Sequence, residues 1–440
     1  MSIRSRASKK TGSSVSHGGT GELQKRLLIV LIAIIVYRLG AYIPVPGIDP
    51  SKLASLFDSH SSGMLGMFNM FSGGALSRMT IFALGIMPYI SASIVIQLFT
   101  AISEPLKALQ KEGEAGRRKI NQYTRYGTVL LAVVQSVGIA RWLSISDVAY
   151  IQGFAFYFVS VITLVTGTVF LMWLGEQVTE RGVGNGITLI IFASIVSRLP
   201  SALGQLFLSV KQGQMEVLTL LVLTAVVVAV IAFVVLMETA QRRIRIEYAK
   251  HQQGRKMYAA QTSHLPLKIN MAGVIPVIFA QAIILVPSFL AKTFSSYKGL
   301  GWLNKVTVAL SFGSALYMLL FAFAVVFFTF FYTALTYNPR ETAQKLKESG
   351  AFLPSIRPGE QTARYIEKVM DRLTVVGAIY LTLVALLPQV LMKFWHVPIY
   401  FGGTSLLIVV VAVMDFTSQI QAHLRDRWYK DKGRKGLLRQ

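Results

Sequence analysis

Long uninterrupted apolar runs alternate along this chain with short polar connections, and these runs dominate any finer periodicity. A bilayer core takes about 20 mostly apolar residues per helix. Ten stretches qualify, near residues 27–43, 79–99, 126–143, 154–174, 187–203, 217–237, 271–291, 315–336, 373–391 and 398–416. They predict an all-α polytopic membrane protein with ten transmembrane helices. Five runs precede residue 205 and five follow residue 215. An odd number per half leaves the second half inverted in the membrane if the halves are duplicates, and inverted halves commonly place a path at their interface. The expected organisation is an N-terminal half over 21–205 and a C-terminal half over 206–420. Residues 1–20 read as a disordered cytoplasmic tail without the apolar core of a cleavable signal, and 421–440 as a basic tail.

Composition sharpens this. The 440 residues are 53% hydrophobic and 15% charged, with 44 Lys and Arg against 20 Asp and Glu, a net charge of +24. Soluble domains are about one quarter charged, so a soluble enzyme is excluded. The absence of cysteine excludes disulfide scaffolds, thiol chemistry and Cys-ligated metals. With the N-terminus inside, 34 of the 44 basic residues fall in inner segments. The excess of positive charge marks the cytoplasmic side, so both termini are expected in the cytoplasm.

The spans are as informative for what they lack. Nine of the ten runs carry no Asp, Glu, Lys or Arg in their interior, Arg141, Arg198 and Asp415 lying toward run ends; only Arg38 interrupts the first, near its outer end. Ion-coupled carriers place carboxylates, His or Arg at mid-membrane, and none is available here. The six histidines lie in loops or tails without ligand spacing. No phosphate-binding loop and no hydrolase motif occurs. The expectation is a protein without cofactors and without its own catalytic site.

Several irregular elements interrupt the runs. Between the first two spans lies Gly63-Met-Leu-Gly-Met-Phe-Asn-Met-Phe-Ser-Gly-Gly74, apolar but too short to cross. Glycines 63, 73 and 74 give it flexible joints, and Met64, Leu65, Met67, Phe68, Met70 and Phe71 around Asn69 suit irregular packing. A movable re-entrant plug and an outer-surface amphipathic segment both fit. Pro88 in the second run and Pro276 and Pro287 in the seventh predict kinks, although membrane helices also carry proline for packing alone. Ser91, Gln97 and Asn270 sit on or beside the same two runs, where polar groups seek partners on neighbouring helices. Isoleucines 86 and 90, and 187 and 191, are spaced four apart and so share a face. With Ile278 and Ile408 they could build an aliphatic ring, which would oppose ion passage by dewetting; ordinary core packing explains them as simply.

Two inner loops are long. In 240–268, Arg243-Ile-Arg-Ile-Glu-Tyr248 alternates with period two and Gln252-Gln-Gly254 offers a turn, predicting a protruding basic β-hairpin. In 337–372, Asn338-Pro-Arg-Glu341 has the N-cap, N1 and N3 residues of a helix start. That helix stops at Gly350, and Ile356-Arg-Pro-Gly359 makes a rigid turn exposing Arg357. Such arms suit a large anionic partner, a protein or ribosomal RNA; positive-inside topology with anionic lipid explains the charge as well.

Seven ordered motifs resemble the SecY family, the central subunit of the bacterial protein-conducting channel. They are Gly66-Met-Phe-Asn-Met-Phe-Ser-Gly-Gly-Ala-Leu-Ser-Arg78, Ala83-Leu-Gly-Ile-Met-Pro-Tyr-Ile-Ser91, Gly184-Asn-Gly186, His264-Leu-Pro-Leu-Lys268, Asn338-Pro-Arg340, Ile356-Arg-Pro-Gly359 and Phe401-Gly-Gly-Thr-Ser405. The resemblance implies two five-helix halves closing as a clamshell around an hourglass pore. It implies that Ile86, Ile90, Ile187, Ile191, Ile278 and Ile408 form the pore ring and that 64–72 is the plug. Ser91, Gln97 and Asn270 would lie at a lateral gate between the second and third spans and the seventh and eighth. Lys250 and Arg255 in one arm, with Arg340, Arg357, Pro358 and Gly359 in the other, would receive the SecA ATPase or the ribosome. SecE, SecG, YidC, SecD/SecF, anionic lipids, signal sequences and nascent membrane proteins are the further partners implied, in a bacterial inner membrane. A facilitative transporter of apolar substrates and an insertion platform without a pore remain alternatives on composition alone.

Overall fold

The apolar runs become helices in the computed structural model, and their ends fall where the local chemistry supplies a cap or a turn. The structure describes residues 20–60, 69, 72–150, 153–213, 216–248, 251–253, 256–258, 262–294, 314–395 and 403–437. The first half contains α1 (Thr20–Gly40), α2 (Pro50–His60), α3 (Met87–Ile102), α4 (Glu104–Lys111), α5 (Glu114–Ile145), α6 (Phe154–Arg181), α7 (Gly186–Val196) and α8 (Leu199–Lys211). The second contains α9 (Val217–Thr239), α10 (Ile275–Phe294), α11 (Ala315–Thr336), α12 (Pro339–Glu348), α13 (Glu360–Trp395) and α14 (Gly403–Leu437). Between them lie strands β1 (Gln241–Tyr248), β2 (His251–Gln253), β3 (Lys256–Tyr258) and β4 (Thr262–Lys268), with β5 (Ala351–Phe352) after α12.

Among the described residues, seven helical stretches are long and apolar enough to cross a bilayer, and α3 with α4 makes an eighth if that pair, bent by 98°, counts as one span. The other two expected spans fall on α1, which includes Lys25, Arg26 and Arg38, and on α10, whose apolar stretch runs from Ile275 to Leu285. The chain is a multi-pass, predominantly helical membrane protein.

Two expectations change. The second span does not begin near residue 79: residues 79–86 are turn apart from Thr80, which bridges to Pro44, and α3 begins at Met87 with Pro88 in its first turn. Proline there kinks nothing, because the first helical amides have no partner to lose. Pro276 has the same place in α10, and only Pro287 sits inside that helix. At the other end, α14 runs without a break to Leu437, so the segment after 420 continues the last span's helix.

Helices of each half pack mainly on one another, α3 on α5 and α5 on α6 in the first, α10 on α11 and α11 on α13 in the second. The halves meet along two seams. One joins α3 and α5 to α10, and the other joins α7 to α14. A single buried cluster runs through both halves and includes Leu164, Leu171, Phe321 and Leu407.

The predicted hairpin is present, and it is part of something larger. β1 and β4 pair antiparallel from Gln241↔Lys268 to Glu247↔Thr262, and β2 pairs with β3 beyond them. β5, from the other long loop, adds to β1 through Glu247↔Phe352 and Tyr248↔Ala351, giving the order β4-β1-β5. Ile244, Leu267, Leu353, Ile366 and Met370 form a second core of their own beneath this sheet. Burying each of the larger aliphatics in water-facing structure stabilises by roughly 1.5–3 kcal/mol, so the two loops hold each other folded.

Candidate functional site

Five of the six isoleucines are buried: Ile86, Ile90, Ile191, Ile278 and Ile408. All five belong to the core that spans both halves, and the partly buried Ile187 packs against it. They come from α3, its N-cap, α7, α10 and α14, so both seams contribute. Ile86 and Ile90 stack one helical turn apart, the Ile90 amide donating to the Ile86 carbonyl (3.1 Å). A cavity beside them is lined by Ile86, Ile90 and Ile191 together with Tyr37, Leu171 and Ser194. Ile187 also leans on α6, its Cγ1 3.1 Å from where a Cβ on Gly175 would stand.

Of the short apolar segment before α3, Gly63, Met64, Leu65, Met67, Phe68, Met70 and Phe71 lie outside the described residues. Its end is well defined. Asn69 is buried, and its Oδ1 accepts from the Ser77 amide (2.9 Å) while its carbonyl accepts from the Gly74 amide (2.8 Å). The Ser72 carbonyl accepts from the Tyr37 hydroxyl of α1 (3.1 Å). Gly73 and Gly74 have φ of 65° and 84°, in the left-handed region that side chains resist. A Cβ on Gly73 would stand 2.8 Å from the Tyr37 hydroxyl and 3.0 Å from the Ser194 carbonyl. Gly73 is therefore packed between α1 and α7, while Gly74 lies near the Arg78 and Arg198 side chains.

The expected polar partners across the first seam do not form. Ser91 donates back to the Met87 carbonyl (3.0 Å), and Gln97 donates to Ser93 on its own helix (3.1 Å). Asn270 instead donates to Glu238 at the end of α9 (2.6 Å). Two helices that meet at this seam carry buried glutamines, Gln135 on α5 and Gln281 on α10, with neither atom of either amide hydrogen-bonded to protein.

On the inner arms, Asn338 caps α12 as expected, its Oδ1 accepting from the Arg340 and Glu341 amides (3.1 and 3.5 Å). Arg340 is exposed and pairs loosely with Glu360 (3.6 Å). Ser355 and Gly359, with φ of 67° and 107°, turn the chain so that Arg357 and Pro358 stand in solvent. The Arg357 carbonyl accepts from the Thr362 hydroxyl (2.9 Å), which fixes the turn. Lys250 and Arg255 lie outside the described residues. No group of three or more His, Cys, Asp or Glu side chains that could hold a metal ion occurs among the described residues.

A family model described as SecY matches residues 80–417. The chain is 59% identical over 427 residues to the protein translocase subunit SecY of Pseudomonas aeruginosa, covering 97% of both chains. It is 56% identical over 426 residues to the subunit of the same name from Escherichia coli, covering 96% of both. The chain belongs to the SecY family. A solved structure titled as that of a protein conducting channel shares its fold, with a TM-score of 0.65 and 19% identity over 92% of this chain and 93% of that one. Canine Sec61, solved in a ribosome–channel complex from the endoplasmic reticulum, has a TM-score of 0.61, with 19% identity over 92% of this chain and 93% of that one.

Three features of this SecY-family chain escaped the sequence reading. Glu238 lies just past the end assigned to the sixth run and so escaped notice as a buried charge. Gln135 and Gln281 sit inside apolar runs, where an unpartnered amide is a signal in itself. The joining of the two arms through β5 left no local mark, since it rests on two residues of a strand.

Proposed function

We propose that this chain is the pore-forming subunit of a bacterial protein translocase, passing unfolded polypeptide across the inner membrane and releasing apolar segments sideways into lipid. The observation that supports the reading is that Ile86, Ile90 and Ile191 of the first half and Ile278 and Ile408 of the second belong to one buried core running through both halves, which meet along two seams. An aliphatic ring excludes ions by dewetting. It also offers no hydrogen-bond partner, so it favours no particular sequence in a passing chain. Ile86, Ile90, Ile187, Ile191, Ile278 and Ile408 form the constriction in this reading, and residues 64–72 are the plug.

The seam of α3 and α5 with α10 serves as the lateral gate. Helices in lipid are held by packing and by interhelical hydrogen bonds, and Gln135 and Gln281 contribute none of the latter. A signal sequence of about 7–15 apolar residues replaces one apolar contact by another as it enters. The plug then leaves the constriction. Energy comes from outside the chain, from the SecA ATPase or a translating ribosome docked on the 240–268 and 337–372 arms through Lys250, Arg255, Arg340, Arg357, Pro358 and Gly359. Docking shifts the closed-to-open balance only as far as the motor binds the open state better. SecE and SecG complete the complex, SecE across the seam of α7 with α14, with YidC, SecD/SecF and anionic lipids as further contacts. Both termini are cytoplasmic.

The test is a photo-crosslinking side chain at position 191, exposed to a secretory chain stalled midway. Crosslinks to its hydrophilic stretches support the pore. Crosslinks confined to apolar segments at position 91, with none at 191, would replace the pore by an insertion platform.

A further inference from the structure

Among the described residues, Glu238 is the one Asp, Glu, Lys or Arg that is buried, at 8% exposed. A buried carboxylate is costly unless its oxygens are hydrogen-bonded. Oε1 of Glu238 accepts from Asn270 Nδ2 (2.6 Å) and, more distantly, from the Tyr380 hydroxyl (3.5 Å). The Tyr380 ring is held from the side by Phe233 in an edge-to-face contact with centroids 5.8 Å apart. Three elements thus close on one carboxylate: the end of α9, which carries both Glu238 and Phe233, the link between β4 and α10 through Asn270, and α13 through Tyr380.

The position of this contact along the chain gives it meaning. The two stalk strands of the inner arm end at the pair Gln241↔Lys268. The next rung is the Ile269 amide donating to the Ala240 carbonyl (3.1 Å). Below that, where the backbone ladder stops, the Glu238 and Asn270 side chains continue it. Asn270 Nδ2 also donates to the Gly273 carbonyl (3.1 Å), closing the turn that Gly273 makes at φ 61° just before α10. Without that second bond, residues 269–274 would be a slack connection. On the outer side, a Cβ on Gly377 of α13 would stand only 3.1 Å from the Ile269 carbonyl, so the link has no room to buckle that way.

We infer that Glu238 and Asn270 are positioning residues that turn movement of the inner arm into movement of α10, the second-half helix at the first seam. This rests on the docking and gate assignments above and adds the route between them. One side-chain nitrogen, Asn270 Nδ2, donating both to Glu238 and to the Gly273 carbonyl, fastens the end of α9 to the turn that leads into the helix that must move. A partner pulling or tilting the sheet then displaces the start of α10 without loss in the connection.

The test uses the full complex in proteoliposomes with SecA as the docked partner. The chain has no cysteine, so Val95→Cys on α3 and Ile283→Cys on α10, both exposed, accept spin labels without other changes. Docking of SecA with a non-hydrolysable ATP analogue is expected to shift the distance between these labels in the parent. Glu238→Ala is expected to leave SecA affinity unchanged, abolish the shift and lower the maximal translocation rate by about fivefold or more, the low end of coupling between distant sites. Glu238→Gln keeps an acceptor oxygen for Asn270 and is expected to restore both. Asn270→Ala should match Glu238→Ala, with the double variant no worse than either. A normal shift and rate in Glu238→Ala, or a loss of SecA affinity that Glu238→Gln does not recover, would overturn the coupling. The docking assignment is tested separately: Arg357→Glu that leaves SecA affinity intact overturns that assignment.

Discussion

Tyr248 and Ala351 are paired in adjacent strands although about a hundred residues, including α10 and α11, separate them in sequence. The two inner loops are consequently one folded body with a shared core. Leu353, 2% exposed, sits in that core beside Ile366, 0% exposed. Leu353→Ala is expected to cost about 2–5 kcal/mol locally. Amide hydrogen exchange should rise in β1 and β4 as well as near residue 353, and SecA or ribosome affinity should fall. Faster exchange restricted to 351–357 would mean that the loops fold independently.

The proposed constriction makes a different prediction. Ile191 is 5% exposed and lies in the core with Ile86 and Ile90. Ile191→Gly removes an aliphatic wall and admits water, so resting ion conductance in planar bilayers should rise several-fold. Unchanged conductance would remove Ile191 from the seal.

Tyr37 ties α1 to the turn that follows the plug segment. Tyr37→Phe deletes the bond to the Ser72 carbonyl while keeping the ring stacked on Phe82. A net hydrogen bond contributes about 0.5–1.5 kcal/mol, corresponding to a shift of roughly 2–12-fold between closed and open populations. Single-channel recordings should show more frequent openings, and an export assay should tolerate weaker signal sequences. Openings as rare as in the parent would confine Tyr37 to packing.

At the first seam, Gln281 is 1% exposed with both amide atoms unpaired. Replacing it by leucine removes a burial cost of about 1–3 kcal/mol and should favour the closed seam. Export through signal sequences of low hydropathy should fall more steeply than through strongly apolar ones. An equal fall for both would place the effect elsewhere.

What could be read ahead of the structure follows physical range. Span positions and the cap at Asn338 were legible because each depends on residues a few positions apart. The β1–β4 pairing was legible from alternation and a turn. Pro88 misled, since a proline in an apolar run looks the same whether it lies inside a helix or in its first turn. Asn270 finds the partner its chemistry called for, but which one was not legible, since only the folded chain brings Glu238 within 2.6 Å. Gly73 signalled conformational freedom, and its surroundings add a second reason for glycine, since a Cβ there would press on Tyr37 and Ser194.

The sharp bend between α3 and α4 carries a last consequence. α4 leaves α3 at 98°, with Lys107 and Lys111 exposed and Leu106 and Leu109 half-buried. A helix lying crosswise at the end of a span acts as an outrigger. Its lysines resist being drawn into hydrocarbon, and its leucines resist being lifted into water. α3 is thereby held at fixed depth, so that an opening of the seam it borders, as proposed above, would proceed by a sideways swing that keeps its vertical alignment.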